Sequence, residues 1–360
     1  MKGKRLSVLL FYLLLAAIPT ATLLTATIRP EHEKSHAISL SSTLSGAAAE
    51  EAEAVLAKNF PAKDFLTSLR TQIELSSGRK EIDGVFVLPD RLIENTPAVS
   101  EKAVTHSAEI VSAFAERFDG AISLMLVPTA SSIHRDLLPA TAEIAAQKAL
   151  IDKAYELVSE QVGTIDCYST LSASRDLSLY YRTDPRWTSL GAYMGYSACS
   201  NQMGFSPLAM DRFNIEHANH NYFGLLCDRI GYYDLIPDTI DIYSAPESDT
   251  NSIIINIYNK TEWIQTSGLY NRERLDEGYA VFPEGAPVST IETGMKKAPR
   301  LLIVGDSFVN ALAPFLTMHY STVTVADMAL SENELRQLID VNSYDQILFC
   351  CTLNSFAELQ

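Results

Sequence analysis

The stretch RLLIVGDSFVNALAPFL, residues 300–316, constrains the fold more than any other part of the chain. Leu301 to Val304 form a continuous apolar run, the pattern of a strand buried on both faces. Gly305 permits a sharp turn, and the apolar run from Phe308 predicts a helix over 308–316. Asp306 and Ser307 fall at the junction. A strand–turn–helix unit in a parallel sheet puts its junction at the carboxyl edge, where clefts form with a helix N-terminus behind them. A serine there can act as a nucleophile or as a plain helix cap.

The same alternation recurs elsewhere. Apolar runs at 85–88, 122–127, 165–168, 322–326 and 346–351 predict strands, and residues 100–117, 142–161 and 332–341 predict helices. Short strands alternating with helices imply a three-layer α/β domain with a mostly parallel sheet, here spanning 78–360. Residues 205–297 interrupt the pattern with β-rich pieces at 240–243 and 252–258, which read as an insertion or flap. Residues 29–77 read as a polar linker followed by Ala-rich helices.

At the N-terminus Lys2, Lys4 and Arg5 precede an uncharged run over 6–28. Basic residues before an apolar segment keep that end in the cytoplasm and export the chain beyond it. Residues 1–28 are therefore either a signal peptide or a membrane anchor, and the remainder is extracytoplasmic. The formal net charge of −16 excludes nucleic acid as the main partner, because phosphate binding needs a basic footprint. The five cysteines are odd in number and form no CxxC pair, so zinc and thioredoxin-type readings have no support. Cys350 and Cys351 read as core residues, and one disulfide among Cys167, Cys199 and Cys227 is compatible with export. No metal or cofactor is expected. His134 reads as an exposed loop residue and His319 as structural. His217 and His220 can share a helical turn but lack a third ligand.

The second informative stretch is YYRTDPRWTSLGAY, residues 180–193. Thr188 or Ser189 can cap a helix that runs to about Met203, with Gly204 as its stop. Pro185 biases Asp184 towards extended backbone, and residues two apart then point the same way. Asp184 and Arg186 are expected on one side, each the other's nearest partner. Tyr180, Tyr181, Trp187 and Tyr193 can form either an aromatic floor for a sugar or part of the core.

These stretches, together with residues 78–94, 124–139, 221–231, 279–293 and 344–356, resemble the DHHW family of bacterial exported proteins. That family is similar in turn to the SGNH-hydrolase-like domains of alginate O-acetyltransferases. The resemblance implies an SGNH-hydrolase-like fold and an acyl-transfer triad. Carried over by position, Ser307 is the nucleophile and Asp184 the acid. Arg186, Trp187, Gly305, Asp306 and Asn354 become candidates for substrate or oxyanion contacts. The base is missing: the DHHW-type histidines are replaced by Pro185 and Arg186. A guanidinium stays protonated at all ordinary pH values and offers no acceptor nitrogen, so Arg186 cannot take a proton from serine.

Two main readings are open. One is O-acetyl transfer to, or removal from, a surface or secreted polysaccharide through Ser307. The other is a catalytically degenerate relative that serves as a carbohydrate-binding or assembly component of the cell envelope. In both, the resemblance implies an acetylated carbohydrate or polysaccharide partner and a membrane-bound O-acyltransferase, while the N-terminal segment itself implies contact with the membrane. A scaffold with no ligand is the third.

Overall fold

The 301–304 run lies in the middle of an eight-stranded sheet of the computed structural model, which describes residues 63–245, 253–282 and 286–359. These residues form two units. The smaller comprises 63–79 with Ile230–Tyr232. It holds helix α1 (Lys63–Ser76), whose Thr71 hydroxyl donates to the Ile230 carbonyl. The larger unit comprises 80–229 and 233 onward.

In the larger unit, β1 (Glu81–Ile82), β2 (Val85–Val87) and β3 (Leu92–Glu94) form a small antiparallel sheet. The main sheet uses β4 (Ala121–Val127), β5 (Val162–Thr164), β8 (Ile254–Tyr258), β9 (Trp263–Ser267), β10 (Val288–Glu292), β11 (Arg300–Gly305), β12 (Thr322–Asp327) and β13 (Gln346–Thr352). Its order is β5-β4-β13-β11-β12-β10-β8-β9. The pairs from β5 to β12 are parallel, and β10, β8 and β9 add an antiparallel edge. β6 (Asn214–Tyr222) and β7 (Asp238–Ser244) pair separately. The span read as one insertion thus divides: β6 and β7 stand apart, whereas β8 to β10 extend the main sheet.

Helices cover both faces. On one lie α4 (Cys167–Ala173), α5 (Ser189–Met203) and α6 (Val309–Leu316), which pack with Met125, Ile303 and Leu348. On the other lie α2 (Glu101–Ala115), α3 (Gln147–Leu157), α7 (Glu332–Leu338) and α8 (Leu353–Ala357), which pack with Leu124, Leu302 and Phe349. Each fully buried aliphatic or Phe side chain contributes about 1.5–3 kcal/mol of transfer free energy. The continuous apolar runs are a direct consequence, since alternate residues must be apolar for both cores. Cys350 and Cys351 point to opposite faces for the same reason.

Local chemistry sets the boundaries. Thr188 caps α5 by accepting from the Gly191 amide, and Gly204 ends it at φ 77°. The strand expected at 165–168 is instead 162–164. The Asp166 carboxylate accepts the Ser169 amide and starts α4 there. All five cysteines are free and buried, so no disulfide forms. The membrane or signal segment falls outside the described residues. Among those described, no helix is long and apolar enough to cross a membrane.

Candidate functional site

At the carboxyl end of β11 the chain must turn against the neighbouring strand. A Cβ on Gly305 would sit 2.0 Å from the Cys350 carbonyl oxygen, so only glycine fits. Asp306 then ties two strand ends together. One carboxylate oxygen accepts the Phe308 amide (3.1 Å) and the other the Thr352 amide (2.8 Å). Burial pushes this carboxyl above its ordinary value, and the backbone donors only partly offset it. Its two oxygens are thus engaged by the amides of its own turn and of the β13 end.

Ser307 is exposed at the edge of the sheet. Its hydroxyl makes no hydrogen bond among the described residues, and it does not cap α6. The N-cap position is Phe308, with no side-chain acceptor. Ser307 lines a cleft of about 340 Å³ with Lys260, Pro287, Asn310 and Asp327.

The motif segment folds as a tight loop closed by a bridge between Tyr180 and Trp187. Asp184 and Arg186 project to one side, as the alternation predicts. Arg186 grips Asp184 in a fork, Nε to Oδ1 at 2.7 Å and Nη2 to Oδ2 at 2.8 Å. The Asp184 carboxylate also accepts from the Tyr222 hydroxyl at 2.7 Å, the Arg186 amide at 3.0 Å and the Leu225 amide at 3.2 Å. Asp184 is 1% and Arg186 8% exposed, which makes this a buried ion pair. Gly224 lets the backbone close over it: a Cβ there would lie 2.4 Å from Asp184 Cβ.

Burial alone would raise the Asp184 carboxyl. The hydrogen bonds and charge of Arg186, helped by Tyr222, outweigh it and hold the group below its usual value. Burial likewise opposes charge on Arg186, and Asp184 reverses the effect, so the guanidinium is more firmly protonated than normal.

Tyr279 connects this pair to the serine. Arg186 Cζ stacks 3.7 Å from its ring centroid, and its hydroxyl donates to the Ser307 carbonyl at 3.1 Å. Trp187 connects them a second time, its indole N–H donating to the Phe308 carbonyl at 2.9 Å. The structure therefore brings Asp184, Arg186, Trp187, Gly305, Asp306 and Ser307 into one neighbourhood. It leaves no base on the serine: no hydrogen bond joins Ser307 Oγ to Asp184, Arg186 or a histidine among the described residues. The Asn354 side-chain amide donates to the Pro97 carbonyl at 2.9 Å.

The remaining side chains agree with the sequence reading in part. Tyr222 and Tyr279 carry no local signal of their role, although both lie in segments that carry the family resemblance. Trp187, Tyr180 and Tyr181 are core residues. His217 and His220 lie on strand β6 rather than on a helical turn, and the His217 ring pairs with Asp241 at 2.6 Å. His134 is buried rather than exposed. His319 is structural, bonded to the Tyr196 hydroxyl and stacked on Phe205.

A mostly parallel sheet lies between two helical layers, with a Gly-Asp-Ser turn at the carboxyl end of a central strand, the three-layer α/β architecture that the resemblance implies. The family model described as DHHW protein matches residues 66–326, and the chain belongs to that family. It is similar to a solved DHHW family protein from Eubacterium siraeum, with 21% identity and a TM-score of 0.66 over 77% of this chain and 93% of that one. It is also similar to Bacillus cereus PatB1, solved with a sulfonyl adduct, with 16% identity and a TM-score of 0.64 over 76% and 95%. The O-acetyltransferase domain of Pseudomonas putida AlgJ matches with 15% identity and a TM-score of 0.44 over 76% and 92%. No curated protein matches the chain.

Proposed function

We propose that this chain is an extracytoplasmic cell-envelope protein that has kept the SGNH-like fold to bind carbohydrate, or to help assemble the machinery that modifies it, and does not itself perform serine acyl transfer. The observation that carries this reading is the closed Asp184–Arg186 pair. Acyl transfer needs a group that takes the serine proton and returns it to the leaving group. At the position of that group stands a guanidinium forked onto its own aspartate and stacked on Tyr279. The carbohydrate partner, and a membrane-bound O-acyltransferase beside it, rest on the family resemblance. The extracytoplasmic location rests on the basic and apolar N-terminal pattern.

A second reading keeps O-acetyl transfer or removal on a surface or secreted polysaccharide, with Ser307 as nucleophile. One observation favours it: the Ser307 hydroxyl is exposed, unbonded and open to a cleft that also holds Lys260. An assay of the full chain on an acetylated chromogenic ester separates the two. We expect hydrolysis equal to that of Ser307→Ala and of buffer. Turnover that disappears in Ser307→Ala would replace the first reading by the second.

A further inference from the structure

The geometry points to a binding site for an uncharged saccharide in the cavity between the β6–β7 ladder, the 175–182 loop and the segment after β4. It rests on the carbohydrate-binding reading of the protein and deepens it. The cavity encloses about 570 Å³, within the range of about 300–1,000 Å³ usual for small-ligand sites. It shares no lining residue with the cleft at Ser307.

Its wall contains polar groups with nothing to bind. His134 is 7% exposed, yet neither ring nitrogen has a hydrogen-bond partner among the described residues. Its one described ring contact is edge-on, with Tyr180 at 6.0 Å. The ring nitrogens are not sealed off from the cavity, so they are free to take a hydrogen bond from a ligand that enters it. Arg175 and Arg182 line the same cavity, and neither guanidinium makes a hydrogen bond or close ion pair among the described residues, although Arg182 feels the charges of Asp90 and Asp238. Burial, the larger effect, and the positive charges of Arg91 and Arg175 disfavour a proton on His134. A neutral imidazole offers one donor and one acceptor.

The charges in the wall decide the class of ligand. Arg91 is held by Asp90, and His217 by Asp241. Asp238 is consumed by the amides of Arg182 and Thr183 and by the Thr183 hydroxyl. The remaining groups are two guanidinium groups, the carboxylates of Asp136 and Asp176, and the imidazoles of His134 and His220, and with the Asp238 carboxylate also in the wall the positive charges do not outnumber the negative ones. A carboxylate or phosphate entering here would meet Asp136 and Asp176 as well as the arginines. A sugar hydroxyl both donates and accepts, so each such group can bind it. Leu137 and Leu177, 45% and 46% exposed, also line the cavity and offer apolar surface to the C–H face of a ring.

The test is calorimetric titration of the full chain with neutral tetrasaccharides of glucose, mannose, galactose and N-acetylglucosamine. A galacturonate tetrasaccharide and inorganic phosphate run alongside. At least one neutral tetrasaccharide should bind, and phosphate should not. Arg182→Gln and His134→Gln should each weaken that binding by about tenfold or more. Arg175→Ala, at an exposed position, should do the same if either of these variants fails to fold. Arg117→Ala, which lines neither cavity, should bind as the unaltered chain does. Saccharide binding insensitive to all three cavity variants would overturn this site and leave the carbohydrate-binding reading standing. Binding of the acidic tetrasaccharide or phosphate alone would overturn the uncharged class. Binding of none would overturn both the site and the reading beneath it.

Discussion

Arg186→Ala is expected to cost about 3–5 kcal/mol of unfolding free energy at neutral pH, the usual penalty for leaving one member of a buried pair uncompensated. The variant keeps a carboxylate that is 1% exposed and has lost its forked partner. Tyr222 and two backbone amides remain as donors but carry no charge. The loss has a defined pH dependence. Asp184 in the native chain titrates below its ordinary 3.8, so its contribution is complete above that value and fades as pH falls through the lower folded value. In Arg186→Ala no cation holds the carboxyl down, and protonation relieves the unpaired charge. The gap between the two proteins should therefore narrow as pH is lowered towards and below about 4. Urea denaturation at several pH values measures it. A gap that stays constant or widens in acid would mean that Arg186 contributes by packing alone. Because Arg186 also covers Tyr279, the variant should loosen the Tyr279 contact to the Ser307 carbonyl.

Trp187→Ala is expected to cost a further large amount, about 3–5 kcal/mol by analogy with other aromatic truncations. The indole is fully buried, and its ring packs at 5.4 Å against Phe308. The helix beneath it is shaped to receive it: a Cβ on Gly195 would lie 2.8 Å from Trp187 Cη2, and one on Gly191 2.8 Å from Trp187 Cβ. Truncation opens a cavity that these glycines have no side chains to fill. It also deprives the Phe308 carbonyl of its indole donor. Trp187→Phe, which refills most of the volume but not the hydrogen bond, should recover more than half of the loss. Denaturant midpoints of the three proteins test this. Equal stability of the alanine and phenylalanine variants would show that the hydrogen bond, not the volume, dominates.

The serine turn and the motif loop are legible in the sequence because their causes are local. The 301–304 run, Gly305, and the cap and stop of α5 at Thr188 and Gly204 need only neighbouring residues to take effect. The Asp184–Arg186 pairing comes from Pro185 and the two-residue alternation of extended backbone. The features that escape such reading depend on distant chain. Tyr222 and Tyr279 reach the pair from segments about 40 and 90 residues away, and no spacing rule links them. The setting of His134 depends on distant chain too, since the 175–182 loop and the β6–β7 ladder line the same cavity. One local signal does bear on the small sheet. Asp83 and Gly84 both have positive φ (46° and 73°) and form a two-residue Asp-Gly hairpin loop, which places β2 in the small antiparallel sheet.

The central claim is that Ser307, though exposed, has no base to activate it. The direct test is incubation of the folded chain with phenylmethanesulfonyl fluoride, followed by mass spectrometry of the peptide that contains residues 300–316. PatB1, of similar fold, has been solved with a sulfonyl adduct, which makes this electrophile the natural one. An unmodified Ser307 under conditions that fully label a serine esterase is the predicted result. A sulfonyl group on Ser307 at a comparable rate would contradict it.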